Sequence, residues 1–136
     1  MLAVVDAGPL YAAADEGDVD HEASLETLER EDLELVIPTL VVAETTYMIG
    51  SRLGVDAEAR FLESLADLDV EAPNASDWLR IAEVVRQYAD FPIGGADASV
   101  VALAERLDTG TLVTLDRRHF AAVRPRHRPA FDLLPA

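Results

Sequence analysis

Four acidic residues stand where the surrounding pattern calls for apolar ones: Asp6, Glu44, Asp97 and Asp116. Asp6 follows the run Leu2-Ala3-Val4-Val5, and Asp116 follows Thr111-Leu112-Val113-Thr114-Leu115. Glu44 lies between Leu40-Val41-Val42-Ala43 and Tyr47-Met48-Ile49, and Asp97 comes just after Gly94-Gly95, on one helical face with Val101 and Ala104. A carboxylate withdrawn from water has to be paired, protonated or bound to a cation. Four of them within about 5 Å would repel by roughly 3 kcal/mol per ionised pair at an effective dielectric near 20, and divalent cations relieve that repulsion. Without cysteine in the chain, the donors are hard oxygens, which select Mg2+ or Mn2+. A centre of this kind makes a nucleophile from water and stabilises an in-line displacement at phosphorus, so the substrate it suggests is a phosphodiester.

Each acid taken singly has a plainer explanation. Asp6 or Asp116 alone could be a turn residue or helix cap, and Asp97 alone is a first-turn acid favoured by the helix dipole. Glu44, inside so apolar a helix, is harder to explain without a partner, and the argument rests on the four together. A histidine-based nuclease is disfavoured, because His21, His119 and His127 show no converging pair. His21 reads as a helix surface residue and His119 as an edge contact.

The elements that would position these acids are legible in the hydrophobic pattern. Leu2 to Val5 is a continuous apolar run suited to a central strand covered on both faces. A helix follows over Ala7 to Asp15 with Pro9 in its first turn, then another over Asp20 to Glu31 using Ala23, Leu25 and Leu28. Leu33 to Ile37 is a strand closed by Pro38. Thr39 is a plausible cap for a helix over Leu40 to Arg52, Gly54 stops it, and Val55 to Leu68 forms the next. After a short strand at Val70 to Ala72, Ser76 or Asp77 can cap a helix that turns Trp78, Ile81, Ala82 and Val85 to the core. A helix over Ala96 to Leu107, a strand over Thr111 to Leu115, a short helix near Arg118 to Val123 and a strand at Phe131 to Leu134 complete the chain. Strands separated by helices imply right-handed crossovers and a mainly parallel sheet of four to five strands, in a three-layer α/β/α architecture. Ligands of such sheets bind beyond the carboxyl ends of the strands, where the strand order reverses. Asp6 and Asp116 both fall at such ends, and all four acids can converge there.

At 136 residues and 50% hydrophobic content, the expectation is one domain over residues 1–136 with its own core. The first residues lack a basic n-region and carry Asp6, so they do not read as a signal peptide, and no stretch approaches the roughly 18 to 20 apolar residues of a membrane span. The expected setting is the cytoplasm, away from membranes. The net charge of −15 argues against non-specific nucleic-acid binding, yet its distribution qualifies this. All eleven basic residues are arginine, and Arg117, Arg118, Arg124, Arg126 and Arg128 cluster beside Asp116. That edge is either a solvated terminal segment or a phosphate contact, with Arg117, Arg118 and Arg124 as candidate nucleic-acid-binding residues.

In order and context these residues resemble the PIN-domain nucleases, and more narrowly the VapC-type toxins of toxin–antitoxin pairs. The resemblance spans nearly the whole chain: Val4-Val5-Asp6-Ala7-Gly8-Pro9-Leu10, Val42-Ala43-Glu44, Gly95-Ala96-Asp97-Ala98, and Thr114-Leu115-Asp116-Arg117-Arg118-His119-Phe120. The last is the most specific, because T-x-D-x-x-x-F closes a strand and opens a helix together. The resemblance implies a PIN-like fold and a Mg2+- or Mn2+-dependent endoribonuclease acting on transfer or ribosomal RNA. It implies Asp6 and Asp97 as principal metal ligands, Glu44 and Asp116 as supporting or second-metal acids, and Thr114 lining the site through its hydroxyl. It also implies a VapB-type antitoxin partner and a homodimer, which could use exposed apolar positions on the helices between Leu40 and Ala72. The chain departs from many relatives where they place Ser or Thr after the first Asp: here stand Ala7 and Gly8, and a Gly8 backbone N–H could substitute. Receiver domains and dehalogenase-like phosphatases also gather acids around Mg2+, but both need a lysine, and this chain has none. The rival reading from another class is an inactive PIN module that binds RNA or a protein without cutting.

Overall fold

A computed structural model describes residues 1–136. Strand β1 (Leu2–Val5) leads into α1 (Ala7–Ala14) and α2 (His21–Leu28), and β2 (Glu34–Pro38) into α3 (Thr39–Leu53) and α4 (Val55–Ser64). After β3 (Asp69–Glu71) come α5 (Ala75–Gln87) and α6 (Gly95–Arg106), then β4 (Thr111–Val113), α7 (Arg117–Ala122) and β5 (Asp132–Leu134). The five strands pair in parallel in the order β3-β2-β1-β4-β5, flanked by the seven helices, so the α/β/α expectation holds.

That order contains the feature that matters for chemistry. From β1 the chain steps outward to β2 and β3, then returns to lay β4 on the other side of β1. The switch point therefore falls between β1 and β4, whose registers set Val4 against Leu112 and Val5 against Val113. Both strands are buried along most of their length, as expected of a sheet covered on both faces.

Helix α6 packs on α5, α3, β1 and β2, and this explains its composition. Ala98, Ser99, Val100, Val101, Ala102, Leu103 and Ala104 are all buried, so small residues occupy the closest approaches. Ion pairs fasten α6 to α5: Arg80 meets Glu105 at 2.8 Å and Arg106 meets Asp77 at 2.8 Å.

Several boundaries differ from the sequence expectation for physical reasons. Helix α5 is capped by Asn74, whose side chain accepts from the Asp77 N–H while Asp77 reaches back to the Asn74 N–H. With Asp77 also held by Arg106, the helix is rotated so that Asp77, Ile81 and Val84 face inward, leaving Trp78 49% and Val85 39% exposed. In α2 the buried positions are Ser24 and Thr27 rather than Ala23 and Leu25. Pro38, not Thr39, stands at the cap of α3. The helix after Gly54, which sits at φ 96 where only glycine is unstrained, tightens into a 3-10 turn at Leu65–Asp67. Strand β4 ends at Val113, two residues before the end its apolar run suggests.

Candidate active site

Asp6 leaves β1 as a buried residue, and its N–H donates to the Val113 carbonyl at 2.9 Å, which ties it to β4. One Asp6 carboxylate oxygen accepts from the Thr114 hydroxyl at 2.8 Å. The same hydroxyl oxygen accepts the Asp116 N–H at 3.0 Å, so Thr114, almost fully buried, joins the two acids across the switch point. Asp116 in turn caps α7: its Oδ1 accepts the His119 N–H at 3.0 Å, and its Oδ2 lies 2.9 Å from His119 Nδ1.

Asp97 enters from the first turn of α6 and Glu44 from the second turn of α3. Because these two helices touch, both residues reach the β1–β4 crevice. The result is a cleft of about 450 Å3 lined by Asp6, Glu44, Asp97 and Asp116 with Ala7, Gly8, Met48 and Leu115. A larger apolar groove of about 660 Å3 lies elsewhere, among Leu10, Leu25, Leu28 and Phe61, and offers little chemistry. The acid-lined cleft is the candidate site.

The electrostatics of the cleft are unrelieved. Burial pushes the Asp97 carboxyl up from 3.8 to about 7, with the charges of Asp6, Glu44 and Asp116 adding and the nearby His119 opposing. Burial also raises Asp6, partly offset by the Thr114 hydroxyl and the Ala7 N–H, with Asp116 raising it further. Glu44 is the most exposed of the four, yet the cleft walls still remove enough water to raise its carboxyl, and Asp6 adds to this. Although its helix is apolar on either side of it, Glu44 is exposed and stands at the mouth of the cleft. No arginine pairs with any of the four acids.

The arginine-rich edge divides in two. Arg126 is ion-paired to Glu83 at 2.6 Å and Arg128 to Asp108 at 3.0 Å. Arg117, Arg118 and Arg124 are exposed and have no acidic partner; Arg117 donates to the Pro135 carbonyl at 2.9 Å. At the first motif it is the Ala7 N–H, not that of Gly8, that favours an ionised Asp6. His119 and Phe91 are the residues that sequence reasoning underrated. The D-x-x-H spacing, which puts a side chain three positions after a cap, was the one available signal for His119.

The PIN domain model matches residues 3–124. The chain is 40% identical over 134 residues to Ribonuclease VapC26 of Mycobacterium tuberculosis, covering 97% of this chain and 99% of that one. Among solved structures, Mycobacterium tuberculosis VapC20, described as a sarcin-ricin loop cleaving toxin, is similar with a TM-score of 0.76 at 17% identity, over 82% of this chain and 87% of that one. VapBC2 of Rickettsia felis, solved bound to a promoter DNA fragment, is similar with a TM-score of 0.69 at 19% identity, over 98% and 97%. A toxin–antitoxin complex from Klebsiella pneumoniae gives 0.66 at 16% identity, over 96% and 99%. These structures agree with the fold derived above, while the domain match and the 40% identity reach further: the chain belongs to the PIN-domain family, among its VapC members.

Proposed function

We propose that this protein is a Mg2+- or Mn2+-dependent endoribonuclease and a toxin of the VapC type, acting in the cytoplasm on transfer or ribosomal RNA, with residues 1–136 as one PIN unit. The observation that carries the reading is the convergence of Asp6, Glu44, Asp97 and Asp116 on one cleft without a pairing arginine, where burial and the neighbouring acids push the Asp97 carboxyl up to about 7. Such a site is costly without a cation and suited to one. The donors fit in kind: four carboxylates and no sulfur. No three acidic or histidine side chains stand at ligand spacing about one point, so an ion here would take no more than two of the carboxylates directly, with waters filling the rest of its shell.

In this reading Asp6 and Asp97 are the principal ligands, and Glu44 and Asp116 complete the negative field. Bound there, the cation supplies charge neutralisation and activation of water for attack on a phosphodiester. Thr114 holds the Asp6 carboxylate in one rotamer. Asp116, occupied by His119 and the start of α7, fixes the cleft wall. Arg117, Arg118 and Arg124 lie on the same side as Asp116 in sequence and are free to meet flanking phosphates. The name of the 40% identical relative supports RNA as the substrate.

A VapB-type antitoxin is the proposed partner, supported by the toxin–antitoxin assemblies among the similar structures. We also propose a homodimer, for which Tyr47 and Val55, 75% and 82% exposed on α3 and α4, supply apolar surface. No helix is long and apolar enough to cross a membrane. The test is RNA cleavage by purified protein in Mg2+, in Mn2+ and in excess chelator, with the product ends determined. Metal-dependent cleavage leaving 3′-hydroxyl and 5′-phosphate ends is expected. Cyclic phosphate ends, or full activity in chelator, would defeat the reading. If Asp6→Asn and Asp97→Asn both keep the wild-type effect on RNA and on cell growth, the protein is a binding module instead.

A further inference from the structure

Phe91 is an aromatic residue that the core does not use. It lies between α5 and α6, partly exposed, outside both the buried cluster and the apolar residues packed against it. The His119 ring stacks on it with centroids 4.7 Å apart and planes inclined by 34°. The Arg118 guanidinium lies over the Phe91 ring, 5.1 Å from its centroid, and pairs with no acid although the chain has 26 acidic residues to 11 basic.

The stack is held in place from both sides. The Phe91 N–H donates to the Tyr88 carbonyl at 3.0 Å, and the Tyr88 hydroxyl accepts the Arg124 N–H at 2.9 Å, which ties this segment to the end of α7. His119 is hydrogen-bonded to Asp116, so the stack adjoins the acid-lined cleft. A π-face beside a cleft and an unpaired guanidinium resting on it are the parts with which proteins hold single-stranded RNA. Bases stack on the aromatic ring, and arginine takes the phosphate.

We infer that Phe91 and His119 form a stacking platform for an unpaired RNA base beside the acid-lined cleft, the base taking the place of the Arg118 guanidinium, which then meets a phosphate. The inference rests on the ribonuclease reading for its substrate class. The ring supplies affinity that depends on a base, whereas the arginine supplies affinity that depends on salt.

The experiment measures binding of fluorescein-labelled oligoadenylate, oligouridylate and an abasic ribose-phosphate chain to the full-length protein, in Ca2+ so that cleavage does not intrude. Phe91→Leu is expected to weaken oligoadenylate binding roughly 5- to 100-fold, to leave abasic binding and the salt slope nearly unchanged, and to be rescued by Phe91→Tyr. Arg118→Ala should keep the preference for adenine and flatten the salt slope by about 0.7. An oligonucleotide with 2-aminopurine needs no variant: quenching at one position on binding wild-type protein is expected. Absence of quenching at every position overturns the inference, as does equal loss of oligoadenylate and abasic binding in Phe91→Leu. Cleavage in Mg2+ is scored separately. RNA cut by wild type without base-dependent binding removes the platform alone, and base-dependent binding without any cutting removes the nuclease alone.

Discussion

Replacing Asp97 by Asn is expected to change how stability depends on pH, in a direction opposite to that of ion-paired carboxylates, whose pKa is lowered on folding. In the folded chain the Asp97 carboxyl titrates at about 7 against an ordinary 3.8, so the native state holds a proton that the unfolded chain has released. Stability is then fully present below about pH 4 and is lost as pH rises to about 7. The ceiling on that loss is roughly 4 kcal/mol, from about three pKa units at 1.36 kcal/mol each. Asp97 is only half-buried, and solvent screening halves the figure to about 2 kcal/mol. Asp6 and Glu44 are raised in the same sense, so the wild-type loss includes theirs, and removing the Asp97 charge relaxes the field around both. In urea or thermal unfolding with chelator present, Asp97→Asn should gain on wild type by about 2 kcal/mol between pH 4 and pH 8, or roughly 6–10 °C in Tm. A variant that tracks wild type across that range, or loses ground at pH 8, would refute the claim that the cleft is strained by unrelieved negative charge.

Thr114→Val removes the hydroxyl that joins Asp6 to Asp116. It should cost about 1–3 kcal/mol in urea unfolding and weaken Mn2+ binding in calorimetry, because Asp6 loses its fixed rotamer. Asp77→Ala deletes half of a capping box and leaves Arg106 without its closest partner, at an expected cost of about 2–3 kcal/mol by denaturant titration. Since α6 carries Asp97, cleavage activity should fall with it. Arg124→Ala should weaken RNA binding at low salt, whereas Arg126→Ala, already neutralised by Glu83, should leave filter-binding affinity unchanged.

The parts of the fold that sequence made legible are those decided locally. The Leu2 to Val5 run, Pro9 in a first turn, Gly54 after a helix and the Gly94-Gly95 break each carry their own signal, and the elements around them appear within a residue or two. What escaped depends on partners distant in the chain. The face of α5 follows from the Arg106 to Asp77 ion pair rather than from the spacing of its apolar residues, so Trp78 ends outside. Arg126 and Arg128 looked like part of one basic edge, but Glu83 and Asp108 neutralise them. At the site, the meeting of Asp6 and Asp116 follows from strand neighbourhood, which an α/β pattern makes foreseeable. The exposure of Glu44 follows from how α3 is set on α6, which it does not. Phe91 and His119 find each other only through the return of the chain to α7.

The four cleft acids come from four elements at positions 6, 44, 97 and 116, with no covalent tie between them in a chain free of cysteine. On the proposed reading, a cation held by Asp6 and Asp97 acts as a cross-link, closing a loop of about 91 residues that the unfolded chain leaves open. It would fasten the end of β1 to α6, so tight metal binding would require both to be folded together, with α3 and the start of α7 in place to complete the negative field. Metal affinity would then report the integrity of the whole molecule as well as the readiness of one pocket.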